Sequence, residues 1–547
     1  MLRLTEIKLP LDHPEGALKA AVLQRLGITD GDLTGFTVFR RGFDARKKSD
    51  IQFVYTVDCA VKDQPATLKR LRDERHVSVT PDMDYRFVAR APADLEERPV
   101  VIGMGPCGLF AGLVLAQMGF RPIILERGKA VRERTQDTWA LWRQGKLDPE
   151  SNVQFGEGGA GTFSDGKLHS QIKDPAWRGR KVLTEFVEAG APPEIMYVSK
   201  PHIGTFKLVG MVEKMRAKII ALGGEVRFQA RVEDFEIERN PMGSNPDGMG
   251  QVRAVILANG ERLPTRHVVL AVGHSARDTF YQLYERGVHI EPKPFSIGLR
   301  VEHPQSLIDK ARFGRFAGHP QLGAADYKLV HHCANGRSVY SFCMCPGGAV
   351  VAAASEPGRV VTNGMSQYSR NERNANSGIV VGITPEVDYP GDPLAGIAFQ
   401  RRWESRAYEL GGASYQAPGQ LVGDFLAGRP SKKFGTVMPS YTPGVHLTDL
   451  ATALPDYAIA AIREALPAFS KQIKGFDMND AVLTGVETRT SSPLRIKRNV
   501  CDYQSINTRG LYPTGEGAGY AGGILSAAVD GIEVAEAVAL SMLREKN

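Results

Sequence analysis

The chain has 547 residues, of which 42% are hydrophobic and 24% are charged, values that are typical of globular proteins and exclude a disordered or fibrous chain. At roughly 150 residues per domain, this length predicts three or four folded units. The net charge of +7 comes from 68 basic and 61 acidic side chains and is dispersed apart from one basic run at residues 40–48, so we expect no nucleic-acid partner.

The cysteines and the first residues bear on the cellular location. Six cysteines are few for this length, and the first eight residues mix acid and base without an apolar stretch behind them, which predicts reduced thiols and a cytoplasmic protein. Residues 100–120 carry no charge and are long enough for a membrane helix. Glycines and a proline divide this stretch into strand, turn and helix, so no membrane span is predicted.

Residues 1–96 predict a small N-terminal α+β accessory module. Apolar alternation predicts strands at residues 2–11, 36–40 and 51–61, and a helical pattern covers residues 16–26. A polar segment bracketed by prolines at residues 91–99 predicts a linker.

Residues 97–285 predict the first part of an FAD-binding domain. They open with strand, glycine turn, helix and strand, which is typical of a βαβ unit. The alternation at 225–238 and 251–272 predicts antiparallel strands, the second pair turning at Asn259-Gly260 in a type I′ hairpin.

Residues 286–484 have mixed patterns, with a helix near 455–475, and predict a substrate or cap domain. Residues 485–547 predict the second part of the FAD-binding domain, because they end with a short strand, a glycine-rich turn and a helix. The predicted fold class is α/β: a Rossmann-like FAD/NAD(P)-binding fold that is split by an inserted α+β cap domain and preceded by the small module.

One glycine motif has the context that dinucleotide binding requires. The pattern G-x-G-x-x-G occurs three times, but only Gly103, Gly105 and Gly108 follow a strand, open a helix and precede a second strand ending in an acid, Glu126. The glycines permit a tight turn and a close approach of pyrophosphate to the helix N-terminus, and the acid accepts hydrogen bonds from the adenosine ribose. Glu126 also argues against NADP, because a carboxylate repels a 2′-phosphate.

The C-terminal segment decides between NAD and FAD. FAD needs a second set of polar groups for its ribityl chain and flavin ring, and the glycine-rich turn at residues 512–524 offers one. Glu516 is placed to accept a ribityl hydroxyl, and the N–H groups of Gly522, Gly523 and Ile524 open a helix whose positive end stabilises charge on reduced flavin. We therefore predict one noncovalently bound FAD and no tight NAD(P)H site.

Four segments resemble, in the same order, the FAD motifs of the glutathione-reductase-like flavoprotein superfamily: residues 100–108, 125–128, 270–275 and 515–517. More narrowly, residues 156–168, 271–278 and 342–348 resemble a family of bacterial predicted FAD-dependent dehydrogenases, over nearly the whole chain. The motifs and the resemblance together imply these cofactor-binding residues: Gly103, Gly105, Pro106, Cys107, Gly108, Glu126, Arg127, Gly158, Gly159, Thr162, Phe163, Ser164, Gly273, Gly515, Glu516, Gly522, Gly523 and Ile524.

The sequence departs from the disulfide reductases of that superfamily. Cys107 has no partner in a C-x4-C pair, and only one complete nucleotide-binding unit is present, which argues against disulfide reduction. By the resemblance, Gly158, Gly159, Thr162, Phe163 and Ser164 line the flavin or pyrophosphate, and Gly273 ends a strand near the adenine side.

Cys343 and Cys345 stand before a Pro-Gly-Gly turn. The simplest interpretation is a loop that shapes the cofactor pocket, and the alternatives are a redox dithiol or a zinc site shared with His331, His332 and Cys333. The spacing matches no standard zinc motif, so no metal is predicted.

The catalytic residues are not identified by the sequence. Weak candidates are Cys343, Cys345, Lys167 and His169, and an anionic substrate is one interpretation of Arg489, Arg495 and Arg498. His202 and His274 are more typical of satisfied structural residues.

The predicted function is that of an FAD-dependent oxidoreductase of dehydrogenase type, which transfers hydride between an unidentified small organic substrate and flavin, with an unknown electron acceptor or donor. The alternatives are a flavin-containing protein that modifies or binds nucleic acid such as tRNA, with residues 40–48 as its docking surface, and a flavin-bound interaction protein without turnover.

Overall fold

A computed structural model of the protein describes residues 1–239 and 249–546. The N-terminal module contains a four-stranded sheet in the order β2-β3-β1-β4 with two helices. Its elements are β1 (Leu2–Pro10), α1 (Ala17–Leu26), β2 (Leu33–Asp44), β3 (Gln52–Val61), α2 (Gln64–Arg70) and β4 (Val77–Val79). The predicted strands and helix are present, whereas α2 and β4 were not predicted because both are short.

The dinucleotide-binding part follows the module. Its elements are β5 (Val100–Ile102), α3 (Pro106–Gln117), β6 (Ile123–Leu125), α4 (Val131–Gln144), α5 (Arg178–Glu188), α6 (Thr205–Ala221), β7 (Glu225–Arg227), β8 (Val232–Glu238), β9 (Gly250–Leu257), β10 (Arg262–Pro264), β11 (Val268–Leu270) and α7 (Arg277–Glu285).

The cap begins after α7 and is built on a seven-stranded sheet. Its elements are β12 (Ile290–Pro292), β13 (Phe295–Pro304), α8 (Gln305–Phe313), β14 (Val330–His332), β15 (Ser338–Cys345), β16 (Gly348–Ala352), β17 (Thr362–Ser366), β18 (Asn374–Ile383), α9 (Pro385–Asp388), α10 (Ala395–Leu410), β19 (Ala417–Leu421), α11 (Val422–Ala427), β20 (Val445–Leu447), α12 (Asp456–Ser470) and β21 (Val482–Glu487). The predicted boundary after residue 484 falls inside β21, because this strand continues the cap sheet beside β13.

The chain then returns to the dinucleotide-binding part through β22 (Leu494–Ile496), β23 (Thr508–Arg509), β24 (Leu511–Pro513) and α13 (Ile524–Lys546). A five-stranded parallel sheet in the order β24-β11-β5-β6-β7 results, in which Val268 of β11 lies between Val100 of β5 and Leu511 of β24. Four of its strands, β5, β6, β11 and β24, are buried at every position, and burial explains the uninterrupted apolar sequences of β5, β6 and β11. The prediction of a Rossmann-like α/β fold is confirmed.

Two local predictions were wrong. Glu225–Arg227 and Val268–Leu270 do not belong to the antiparallel strands but lie in the parallel sheet. At Val268–Leu270, burial on both faces requires an apolar run rather than alternation. The hairpin between β9 and β10 forms, but its turn is not type I′: of the two turn residues only Gly260 has a positive φ, +84°. The N–H of Gly260 donates to the Leu257 carbonyl, as in a type I turn followed by a left-handed glycine.

Helix α13 packs directly on α3, the helix that opens at the first glycine motif. A Cβ on Gly531 of α13 would lie 2.2 Å from the carbonyl oxygen of Cys107 in α3, so only glycine permits this approach. Ala528, Ile532 and Ala535 are buried along the same helix. None of the helices in the two described ranges has the length and hydropathy that crossing a bilayer would demand.

Gly531→Ala is expected to destabilise the protein by about 1–3 kcal/mol, because the added methyl group forces α13 away from α3. The control is Gly210→Ala in the middle of α6, where an added Cβ meets no atom within 4 Å. This control is expected to stabilise the protein by about 0.5–1 kcal/mol through helix propensity. Calorimetric unfolding measures both, and equal effects of the two substitutions would contradict the packing.

Candidate functional site

One cavity of about 870 Å³ is shared by both parts of the dinucleotide-binding domain and by the cap. The glycine loop after β5 forms one wall, the turn that precedes α13 forms a second, and β15 and β17 of the cap close the far end. Its volume lies within the range of about 300–1,000 Å³ that is typical of ligand and cofactor sites.

The glycine loop has the geometry that a dinucleotide phosphate needs. A Cβ on Gly103 would lie 2.4 Å from the Ala271 carbonyl oxygen, and a Cβ on Gly108 would lie 1.9 Å from the Gly103 carbonyl oxygen. Helix α3 starts at Pro106 without a side-chain cap on its first N–H groups. Uncapped N–H groups at a helix start that lines a cavity suit an anion, so the residues present fit a pyrophosphate.

A second loop, which contains Gly159, lies against the glycine loop that follows β5. A Cβ on Gly159 would lie 2.8 Å from the Cα of Gly105, and Gly159 has φ +61° and ψ −165°, a conformation that is essentially restricted to glycine. The short helix that follows, Ala160–Phe163, carries Ala160 and Gly161 into the cavity wall.

Glu126, the predicted ribose acceptor, lies at the cavity but already accepts hydrogen bonds within the protein. Its carboxylate accepts from the N–H groups of Met104, Gly128 and Gly156 at 2.8, 2.9 and 2.8 Å. A carboxylate has about four acceptor positions, which leaves room for one hydroxyl group. Glu126 therefore ties together three loops, a role that its sequence position alone does not indicate.

Arg127, also predicted to bind the cofactor, lines the cavity but is occupied by two carboxylates. Its guanidinium donates to Glu150 at 3.0 Å and to Asp278 at 2.9 and 3.0 Å, and stacks 4.1 Å above the Phe155 ring. These bonds hold its plane in a fixed orientation at the cavity wall.

Most of the predicted cofactor residues line the same cavity. They are Gly103, Gly105, Pro106, Cys107, Glu126, Arg127, Gly159, Ser164, Gly273, Gly515, Glu516, Gly522, Gly523 and Ile524. Their contact with a cofactor stays a prediction.

Four predicted residues do not line the cavity. Gly108 lies inside α3 and serves its packing, and the N–H of Gly158 donates to the Met104 carbonyl at 2.8 Å. Thr162 is buried under the loop, and Phe163 packs edge-on against Trp142. The expectation that Thr162 and Phe163 line the flavin or pyrophosphate is therefore corrected: both support the loop from behind.

Glu516 and His274 face each other in the cavity without forming an ion pair. Their nearest atoms, His274 Nε2 and Glu516 Oε1, are 3.7 Å apart. Burial raises the pKa of Glu516 to about 7, although Lys293 opposes the shift, and burial together with Arg489 and Arg277 lowers the pKa of His274 to about 3. His274 is therefore neutral near pH 7, while Glu516 is poised to hold or release a proton.

Cys343 and Cys345 differ in orientation because the strand that carries them is bulged. The pairing of β15 with β18 shifts between Phe342 and Cys345, and Cys343 has φ +43°, a left-handed conformation that is rare outside glycine. Cys343 is exposed to the cavity, whereas Cys345 is buried and its thiol donates to the Cys343 carbonyl at 3.3 Å. Burial raises the pKa of Cys343 to about 12 and raises that of Cys345, so both are thiols at neutral pH, which disfavours the redox alternative.

Lys167 and His169, the other weak catalytic candidates, also line the cavity. The Lys167 ammonium donates to the Met344 carbonyl and lies 3.8 Å from Asp165. Asp165 is buried and paired with Arg370, and this pairing lowers its pKa against the effect of burial. His202 does not line the cavity: its Nε2 contacts the Tyr368 carbonyl at 2.9 Å, as expected for a structural histidine.

The sequence analysis missed a buried ion pair directly behind the bulge. The Arg300 guanidinium donates to both carboxylate oxygens of Glu487 at 3.0 and 2.6 Å, and to the Cys343 carbonyl at 3.3 Å. The available signal was the presence of Arg300 and Glu487 in two predominantly apolar segments, since charged residues there are seldom buried unless they are paired.

The arginines proposed to attract a substrate have partners inside the protein. Arg489 pairs with the buried Glu404 at 2.9 Å, and Arg498 pairs with Asp530, which also accepts from the Gly515 N–H at 2.6 Å. Arg495 Nη2 donates to the Gly519 carbonyl at 3.2 Å. These contacts hold the C-terminal turn and the cap in place, and Arg489 also lines the cavity. That these arginines attract an anionic substrate stays a prediction.

The cysteines and histidines of the zinc alternative do not meet as a group. His331 and Cys333 lie with Glu464 at the surface, their ligand atoms within 4.8 Å of one another, while Cys343 and Cys345 lie at the cavity. His332 contacts the Ser338 hydroxyl at 2.9 Å instead.

Comparison with known proteins gives both family and fold relatives. A family model described as "FAD-dependent protein, C-terminal domain-like" matches residues 294–490, and a model described as a domain of unknown function matches residues 1–60. An uncharacterized protein of Clostridium beijerinckii (strain ATCC 51743 / NCIMB 8052) is 47% identical over 536 residues, which cover 98% of each chain.

Solved structures give more distant likenesses. A mutant of the halogenase PltM in complex with FAD is 12% identical, with 82% of this chain and 71% of that chain covered and a TM-score of 0.38. The glycerol-3-phosphate dehydrogenase of Bacillus halodurans, complexed with FAD, is 11% identical, with coverages of 82% and 66% and a TM-score of 0.35.

Glu516→Gln is expected to raise the free energy of unfolding of the cofactor-free protein by about 1–3 kcal/mol at about pH 8. At about pH 4 the substitution is expected to change the free energy of unfolding little. The raised pKa means that the folded state binds the Glu516 proton more tightly than the unfolded state does. The stability that this proton contributes is fully present below the unfolded pKa of roughly 4.3 and is lost as the pH rises through about 7. A glutamine side chain is uncharged at both pH values and therefore does not lose this stability.

Chemical unfolding at the two pH values measures this difference. The control is Glu285→Gln at the exposed C-terminal end of α7, which is expected to leave the change between the two pH values as in the wild type. A gain from Glu516→Gln that is the same at both pH values would refute the assignment.

Proposed function

The chain belongs to the same family as the Clostridium beijerinckii protein, and we propose that it is an FAD-dependent oxidoreductase that transfers hydride between a small organic substrate and flavin. The observation that carries the proposal is the single cavity that joins the glycine loop, the C-terminal turn and the cap. A site for the cofactor and a site for a second reactant are thereby continuous.

FAD is the cofactor, in agreement with the family model described as that of FAD-dependent proteins. The first N–H groups of α3 would hold the pyrophosphate, and Glu126 has one acceptor position left that would take the ribose hydroxyl. The start of α13 and Glu516 lie along the same cavity on the flavin side. When bound, FAD supplies the acceptor or donor of the hydride.

The chain's own residues orient the reactants and control one proton. Glu516 holds or releases a proton at its carboxyl group near neutral pH, because burial has raised its pKa to about 7. The Arg300–Glu487 pair fixes the bulge that turns Cys343 toward the cavity. The Cys343 thiol therefore lines the cavity as an uncharged group.

The nucleic-acid alternative gains no support from residues 40–48. Arg46 pairs with Asp44, and the Arg41 guanidinium lies over the rings of Phe53 and Tyr197 at 5.3 and 5.4 Å. The ion pair with Asp44 offsets the charge of Arg46, and the ring contacts fix the position of Arg41 without changing its charge. Attribution to the glutathione-reductase-like superfamily and absence of a tight NAD(P)H site stay predictions.

Anaerobic mixing of the purified protein with a panel of metabolites tests the proposal. Bleaching of the flavin absorbance by at least one metabolite, with NADH and NADPH as controls, is the expected result. A protein that shows no flavin absorbance even after FAD is added would overturn it, and bound FAD that nothing reduces would favour the interaction protein without turnover.

Gly159→Ala is expected to weaken FAD binding by about tenfold or more, because the new Cβ clashes with Gly105 and the two loops must separate. The control, Gly260→Ala, also has a positive φ, but its Cβ meets nothing within 4 Å. It is expected to retain FAD at a cost of about 1–2 kcal/mol in stability. FAD released by denaturation and measured by fluorescence distinguishes the two, and equal FAD content in both variants would contradict the site.

A further inference from the structure

The end of the cavity that the cap forms carries an excess of positive charge. Four cationic side chains line it: Lys167, Lys200, Arg312 and Lys328. The acids that line the same end are already paired within the protein, Asp165 with Arg370, Asp326 with Lys200 and Glu487 with Arg300. Of the remaining cations, Lys167 lies 3.8 Å from Asp165, whereas Arg312 and Lys328 form no ion pair within the described residues.

Arg312 is the most informative of these cations. It lies in the last turn of α8 and, across residues 1–239 and 249–546, forms no ion pair with a carboxylate. Its Nε is buried and has no hydrogen-bond partner. The Nη groups of Arg312 are not buried and also donate no hydrogen bond within the described residues, so they are the donors that a ligand in the cavity would meet.

The neighbouring groups support an uncompensated positive field. Burial lowers the pKa of His169, and Lys167 and Lys200 lower it further. Burial acts to raise the pKa of Asp326, but Lys200, Lys167 and Arg312 outweigh it and lower the pKa. Both shifts have the sign that nearby cations produce.

We propose that this end of the cavity binds an oxyanion group of the substrate, a carboxylate or a phosphate, with Arg312 as its principal contact and Lys328 and Lys167 as supporting charges. A guanidinium presents paired N–H donors that match the two oxygens of such a group. The inference rests on the proposed function, because it assigns the substrate class of that same cavity. It also places the anion site at residues other than Arg489, Arg495 and Arg498, at the end of the cavity that the cap forms.

Titration of the FAD-containing protein with succinate and, separately, with inorganic phosphate tests the proposal by calorimetry and by the flavin absorbance. One of the two anions is expected to bind saturably, and the anion that binds identifies carboxylate or phosphate as the group. Arg312→Gln is expected to weaken this binding by about tenfold or more, and Lys328→Gln, at an exposed position, by about threefold.

The matched control is Lys310→Gln, which removes one positive charge from the same helix at an exposed position outside the cavity lining. It is expected to leave the affinity within about twofold of the wild type, since a distant exposed charge is screened by salt. No saturable binding of either anion, or equal weakening by Arg312→Gln and Lys310→Gln, would overturn the inference.

The experiments distinguish a failure of the proposed oxidoreductase function from a failure of the proposed anion site. Protein that contains no FAD and cannot be reconstituted would refute the oxidoreductase assignment, while calorimetry on the same sample would still show whether Arg312 binds an anion. FAD-containing protein that a metabolite reduces, but in which Arg312→Gln leaves anion affinity unchanged, would refute only the inference.

Discussion

The contact between α13 and α3 is the constraint on which the site depends. Both helices begin at the cavity, α3 at the glycine loop and α13 after Gly522 and Gly523, and the absence of a Cβ at Gly531 lets their backbones touch. Strand β24 adds to the same connection by pairing in parallel with β11. Two pieces of chain that the cap separates in sequence therefore present their helix N-termini to one space, where both favour negative charge.

Burial then divides the cavity into two electrostatic regions. On the side of the C-terminal turn, Glu516 and His274 are held close to neutrality because desolvation opposes their charged forms. On the cap side, Arg312 and Lys328 have no carboxylate partner within the described residues. A reactant with an apolar reacting part and an anionic end matches this division.

Buried ion pairs hold the cap against the dinucleotide-binding part. Glu404 of α10 accepts from Arg277 at the start of α7 and from Arg489 after β21, at 2.7 and 2.9 Å. Removing one member of such a group leaves an uncompensated buried charge, which commonly costs 3–5 kcal/mol. These pairs fix the orientation of the cap and of the Arg489 side chain, which lines the cavity.

From the sequence alone, the βαβ unit, the glycine loop, the C-terminal turn and the split domain could be predicted, because each is encoded by a short run of residues with its own local geometry. The orientation of Cys343, the three bonds of Glu126, the Arg300–Glu487 pair and the free donor of Arg312 could not be predicted, because each depends on a neighbour from a distant part of the chain. Local pattern thus determined the cofactor framework. Tertiary structure alone decided which charges were neutralised, since pairing and burial arise only when strands and helices from both sides of the cap meet.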